Sequence, residues 1–178
     1  MIEDLLQGCK KNNRVAQQKV YNYLSPKLYS VCKRYIKNKE VIEDILTEVF
    51  FTIFTKIHQL KEVNAFEGWA RRIAINMCLQ QLKKETNFNI YIEELPSVNK
   101  ATFNDNDFLE EQDLLKIIEM LPKGCQTVFN LYVIENYSHK DIAQELNITE
   151  GTSKSQLNFA KQKLKTLVNE HYFKLKAN

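Results

Sequence analysis

Residues 138–167 narrow the choice of fold more than any other stretch, because they read as two helices joined by a tight turn. Ser138 can cap the first helix, and Asp141, three residues on, completes a capping-box-like pair. Ile142, Ala143 and Leu146 then share a face, with the small Ala143 where two crossing helices come close. Asn147 suits a left-handed turn position, second only to glycine, and Ile148 can plug the turn. Thr149 or Thr152 can cap the second helix, whose apolar positions Leu157, Ala160, Leu164 and Leu167 recur at helical spacing. The opposite stripe is Lys154, Asn158, Lys161 and Lys165. A recognition helix turns such a face to the DNA major groove, although a solvated surface helix can carry the same stripe. Cap, small residue, turn and basic stripe together favour a DNA-binding helix-turn-helix.

The rest of the chain is also suited to helices, since its 178 residues include only four Gly and three Pro. The length fits one domain or two small ones. The net charge of +3 conceals a pattern. Residues 1–85 carry 15 basic and 9 acidic side chains, 86–113 carry 1 and 7, and 114–178 carry 9 and 6. Two basic blocks thus flank an acidic strip. So mild a positive charge binds DNA weakly by itself, which points to affinity shared with a partner. Cys9, Cys32, Cys78 and Cys125 are far apart and read as thiols of a reducing compartment. His58, His139 and His171 lack metal-ligand spacing, so neither a metal nor a cofactor is expected. The start, Met-Ile-Glu-Asp, is unlike a signal peptide, and no apolar run reaches the length of a membrane span. The expected location is the cytoplasm, without membrane insertion.

In the first block, residues 14–37 read as two helices around Pro26. Val20, Tyr21, Leu24, Leu28, Val31, Cys32 and Tyr35 supply the apolar face, and Asn38 reads as a C-terminal stop. The next helix, roughly 41–60, has Ile42, Ile45, Leu46, Val49, Phe50, Ile53, Phe54, Ile57 and Leu60 at three-four spacing. Its other face offers Asp44, Thr47, Glu48, Phe51 and Thr55. Solvation is the ordinary meaning of such a face, but an aromatic among acids is common in protein interfaces. A helix from Glu67 to about Glu85 follows, with Ala70, Ile73, Ala74, Met77 and Leu82 inward. Arg72, Asn76, Gln80, Lys83 and Lys84 share another face. Amide and basic groups near the aromatics Phe66 and Trp69 suit contact with unstacked bases and phosphate; the two aromatics also suit a core.

Four fragments then occur in a telling order: Val41-Ile-Glu-Asp-Ile-Leu-Thr-Glu-Val-Phe50, Phe66-Glu-Gly-Trp-Ala-Arg-Arg-Ile-Ala-Ile-Asn76, Leu121-Pro-Lys-Gly-Cys-Gln-Thr-Val-Phe129 and the helix-turn-helix. Together they resemble the extracytoplasmic-function (ECF) group of bacterial sigma factors, over about 15–86 and 113–168. The resemblance implies that the first domain binds the clamp helices of the RNA polymerase beta-prime subunit and melts and reads the minus-ten promoter element. It implies that the second domain, at the beta flap, reads the minus-thirty-five element. Asp44 and Glu48 match acidic positions of the family's core-binding helix, while Thr47 stands where Gln is usual. Asn76 matches the Asn of the minus-ten helix; Gln80 stands for the usual Asp or Asn, and Lys83 for Arg. In the recognition helix Gly151, Thr152, Lys154 and Ser155 match the pattern Gly-Thr-Val-Lys-Ser-Arg, with Ser153 for Val and Gln156 for Arg. The DNA-facing set is then Thr152, Lys154, Ser155, Gln156, Asn158 and Lys161, with Gln156 able to bond an adenine edge.

The expected architecture is all-α: two small helical domains joined by a flexible acidic linker, the C-terminal one a four-helix domain with a helix-turn-helix. The boundaries are 1–86, a linker 87–112 rich in Asn and acids, 113–172, and a tail 173–178. In the second domain Leu114, Leu115, Ile117, Ile118 and Leu121 make a core face, and Pro122 suits the first turn of the next helix. There Val128, Phe129, Tyr132 and Val133 or Ile134 pack inward, and Glu135-Asn136 ends the helix. No catalytic constellation is visible, so no enzyme is expected. A recombinase would need an α/β catalytic domain, and residues 1–85 show no strand pattern. A stand-alone helix-turn-helix regulator is the competing reading; it would bind a palindromic site without polymerase. Two domains and a linker take up nearly all 178 residues. Restraint of the factor would then fall to its expression or to a separate anti-sigma factor.

Overall fold

The computed structural model describes the backbone of residues 2–85 and 111–176, and the side chains of 2–84 and 114–169. All the regular structure among them is helical, and it falls into two units divided between Thr86 and Asn87. The first holds α1 (Ile2–Lys10), α2 (Arg14–Lys33), α3 (Lys39–Lys56) and α4 (Phe66–Glu85). The second holds α5 (Glu111–Glu119), α6 (Lys123–Phe129), α7 (His139–Leu146) and α8 (Glu150–Lys176). The expected linker lies almost entirely outside the described residues. α8 runs on to Lys176, past the expected domain end at 172.

Three helices of the first unit build one core. α2 contributes Val20, Leu24, Leu28 and Val31, and α3 contributes Ile42, Ile45, Val49 and Ile53. α4 adds Ala70, Ala74 and Cys78, spaced by four and each 0% exposed. Such small side chains let helix backbones approach closely. Ile75, Leu79 and Leu82 complete the α4 face. Ile73 and Met77, expected inward, are only half-buried. The core contact of α4 is rotated from that expectation because the helix packs against both α2 and α3.

Two expectations in this unit are corrected. α2 is a single helix with Pro26 inside it. Proline removes one backbone hydrogen bond, but Leu24 and Leu28 are buried on either side of it and hold the helix together. Asn38 starts a helix instead of stopping one: its side-chain oxygen accepts the Val41 amide at 3.1 Å and caps α3. α1 was not anticipated, although Leu6 and Cys9 are buried against α2. Asn12, with φ of 56°, makes the left-handed turn that follows it.

Gly8 is required where α1 meets α2, since a Cβ there would lie 2.6 Å from the Cβ of Ala16. Gly8→Ala gains about 1 kcal/mol of helix propensity, but overpacking costs about 1–3 kcal/mol. We expect a net loss of stability. A rise in melting temperature would show that α1 can move aside without cost.

In the second unit α8 is the central element, packed by α5, α6 and α7. Ile117, Ile118 and Leu121 meet Phe159, Ala160, Leu164 and Leu167, with Cys125 among them. Leu114 and Leu115, expected in the core, are each 43% exposed, so the α5 contact begins at Ile117. Pro122 is the cap before α6 rather than its first residue. α6 continues into a π-helical turn, Asn130–Ile134, closed by the Glu135 amide on the Asn130 carbonyl at 3.0 Å. The wider turn shifts the helical register. Asn130 and Leu131 are buried, while Tyr132, expected inward, faces out; of the alternatives Val133 and Ile134, Val133 is exposed and Ile134 half-buried.

Candidate functional site

Three helices present side chains at helical spacing on the side away from their cores. On α3, Asp44, Thr47, Glu48 and Phe51 are all exposed, and Phe51 is 71% exposed. The opposite side of α3 carries the buried Ile42, Ile45, Val49 and Ile53. Leaving a phenyl ring in water forgoes about 1.5–3 kcal/mol of burial. The Thr47 hydroxyl donates to the Glu43 carbonyl at 3.0 Å, which turns a donor back into the helix. Thr47 also lines a groove of about 460 Å³ between α2 and α3, with Tyr21, Tyr29 and Leu46.

α4 carries Arg72, Asn76, Gln80 and Lys83 along one stripe. Residues 72, 76 and 80 stand two places beyond 70, 74 and 78, or about 200° around the helix. Burial of the three small residues therefore turns this stripe outward. Arg72, Gln80 and Lys83 are exposed and Asn76 is half-buried. The Asn76 side-chain oxygen is itself buried without a hydrogen-bond partner. An unsatisfied buried acceptor is uncommon in folded proteins and calls for a reason.

The first turn of α4 is tied to α2. Tyr23 donates its hydroxyl to Glu67, and the Lys27 ammonium reaches the Tyr23 oxygen at 2.8 Å and Glu67 at 3.0 Å. The Tyr23 bond, then Lys27, holds the Glu67 carboxyl below its ordinary range. The same two partners raise Lys27, Tyr23 first.

The helix-turn-helix is built as its residues predict. Ser138 and Asp141 form a capping box: the Asp141 amide donates to the Ser138 oxygen at 3.1 Å, and the Ser138 amide donates back at 3.2 Å. Asn147 is left-handed, with φ of 55° and ψ of 49°. Thr149, not Thr152, caps α8, accepting the Thr152 amide at 3.0 Å. The two threonine hydroxyls are 2.9 Å apart. Lys154, Ser155, Asn158 and Lys161 are exposed along the outer side of α8, and Thr152 is half-buried.

Gln156 does not join them. It is 0% exposed, and its side-chain oxygen accepts the Cys125 thiol of α6 at 2.7 Å. The reason is angular. Residue 156 is two places, about 200°, from Asn158 and shares the packed stripe of 153, 157 and 160. Gln156, expected to read a base, is instead packed inside the domain. Ser153 is buried likewise, with its hydroxyl 2.9 Å from Nδ1 of His139 on α7. The His139 ring stacks on Tyr132 at 4.5 Å, and Lys161 lies 6.0 Å from the Tyr132 ring centre. Desolvation, then the charge of Lys154, lowers the His139 pKa, while Glu150 opposes the shift. Burial pushes the Cys125 thiol up to about 11, so it keeps its proton and can donate.

Comparison with known proteins gives this geometry a family. The model described as "Sigma-70 region 2" matches residues 20–88, and "Sigma-70, region 4" matches residues 111–164. The chain belongs to the sigma-70 family, as an ECF sigma factor. It is similar to the ECF RNA polymerase sigma factor SigW of Bacillus subtilis, at 24% identity over 93% of this chain and 95% of that one. It is also similar to the ECF RNA polymerase sigma-E factor of Haemophilus influenzae, at 24% identity over 94% and 93%. Among solved structures, the sigma factor RpoE of Bartonella quintana, in complex with the anti-sigma factor NepR, shares the fold. Its TM-score is 0.52 at 18% identity, covering 85% of this chain and 96% of that one.

An ECF sigma factor directs promoter recognition by RNA polymerase and is a transcription factor, not an enzyme. Among the described residues of this sigma factor, no helix is long and apolar enough to cross a membrane. Reading the sequence gave His139, Ser153, Cys125 and Tyr132 no role in holding α8. Each gains a role only from a partner on another helix. The one signal was that Ser153 and Gln156 are polar where the stripe of 157, 160 and 164 calls for apolar residues.

Proposed function

We propose that this sigma factor divides its work among the three outward stripes. Asp44, Thr47, Glu48 and Phe51 on α3 dock on the beta-prime clamp helices. Arg72, Asn76, Gln80 and Lys83 on α4 read and melt the minus-ten element. Thr152, Lys154, Ser155, Asn158 and Lys161 on α8 read the minus-thirty-five element, with the second unit held at the beta flap. The domains are then 1–86 and one that runs from α5 to the end of α8 at Lys176, joined by the acidic linker. The carrying observation is that each stripe opposes its helix's buried face, which leaves its side chains exposed apart from the half-buried Asn76 and Thr152. The Asn76 oxygen, which lacks a partner, suits a group that waits for a base.

The same reading places the protein in the cytoplasm, with polymerase, and leaves its restraint to its expression or to a separate anti-sigma factor. The Bartonella sigma factor of similar fold was solved with one. Run-off transcription with purified core polymerase on genomic fragments tests the activity. Footprinting with and without core separates it from a stand-alone regulator, which would protect its site without polymerase.

The α8 assignment makes a sharper prediction. Lys161→Ala is expected to weaken binding to every promoter sequence and to lower the salt slope by about one. Asn158→Ala is expected to relax preference at one base pair by roughly 1–3 kcal/mol, since Asn pairs bidentately with adenine. Unchanged affinity, slope and preference in both holoenzymes would assign promoter reading to another helix.

A further inference from the structure

Among the described residues, Ser153 and Gln156 are the buried polar side chains on the packed face of α8. Each is 0% exposed, and each bonds to a different helix: Ser153 to His139 of α7 at 2.9 Å, Gln156 to Cys125 of α6 at 2.7 Å. The bonds are one turn apart along α8, beside Lys154, Ser155 and Asn158. Apolar packing is non-directional and tolerates a small rotation or slide of a helix. Hydrogen bonds do not, because they weaken steeply outside a narrow range of distance and angle. Bonds to two separate helices therefore define both the rotation and the axial position of the first turns of α8.

We propose that Ser153 and Gln156 are positioning residues that set the register of the recognition helix, and with it discrimination among upstream promoter elements. The proposal rests on the reading that α8 faces DNA. Neither side chain touches a base. Their effect passes through Lys154, Ser155 and Asn158, whose placement they hold. His139 is set for this by its stacking on Tyr132, and Cys125 by burial that keeps its proton in place.

The test compares Ser153→Thr with Ser153→Val in the full chain, assembled with core polymerase. The two residues have nearly the same shape and burden the packing equally, but only Thr keeps the oxygen. The probes are a promoter fragment found by run-off transcription and its single-base variants in the upstream element. Ser153→Thr is expected to discriminate as the parent does. Ser153→Val is expected to lose about tenfold in discrimination, comparable to the penalty of one mismatched base pair, with an unchanged salt slope on non-promoter DNA. Equal discrimination by Thr and Val would overturn the proposal. If Ser153→Val fails to fold, as judged by its melting curve, Gln156→Met carries the same test: full discrimination in that variant overturns the proposal. Asn158→Ala is measured alongside. If it flattens discrimination while Thr and Val agree, the positioning role alone is lost. If Asn158→Ala changes nothing, α8 is not the reading helix and both ideas fall.

Discussion

An Asp44→Lys, Glu48→Lys double variant is expected to stay folded and to lose core polymerase. Both carboxylates are exposed on α3, one turn apart, and the adjoining Phe51 is 71% exposed. Surface charge changes away from caps and buried networks usually alter stability by no more than about 0.5 kcal/mol. Bringing two lysines against a partner that accepts acids is different, because like charges across an interface cost several kcal/mol. About 3 kcal/mol corresponds to roughly a hundredfold loss of affinity. Phe51→Ala should add to the defect by removing the apolar anchor, as aromatic residues near the centre of an interface often dominate it. Co-purification with core polymerase reads the result, and melting curves confirm the fold. Normal association of the double variant would remove this face from the interface.

Phe66→Ala is expected to be the most damaging single truncation in the first unit. Phe66 is 1% exposed, begins α4 and sits 6.4 Å from the Trp69 ring. Truncating a buried Phe costs about 3–5 kcal/mol, a large share of the 5–15 kcal/mol typical of a domain. For a unit of this size that is a fall of roughly 10 °C or more in melting temperature. Trp69→Ala should cost less, since Trp69 is only half-buried. The promoter defect of Phe66→Ala should ease on cooling, because the stripe on α4 is intact and only its support is weakened. A melting curve matching the parent's would show that the core closes over the missing ring.

Residues 138–160 show how far local chemistry reaches. Capping needs only neighbours three places apart, so Ser138, Asp141 and the left-handed Asn147 were legible, and each is where its chemistry puts it. The same holds for the apolar spacing of α3, where every strong position from Ile42 to Ile53 is buried. Pro26 and Asn38 were misread because their local signals are ambiguous. A proline ends a helix unless packing on both sides retains it, and an asparagine serves either end. Tyr132 was misplaced because a π-helical turn inserts a register shift that a constant period does not contain.

The order of amino acids by itself determined that the chain is helical, that it carries a helix-turn-helix, and that it belongs among the ECF sigma factors. The first two depend on caps and periods whose parts lie within a few residues of each other, and the third on a resemblance carried by four such fragments in order. Only the tertiary structure decided which side of α8 each polar residue of the recognition helix takes. Gln156 looked like a base reader until Cys125 of α6 was found 2.7 Å away. Ser153 stood where the family pattern has Val, and only the fold brings His139 of α7 to it. Side chains two places apart differ by about 200° around a helix, and the core that selects one direction is assembled from helices that are distant in sequence.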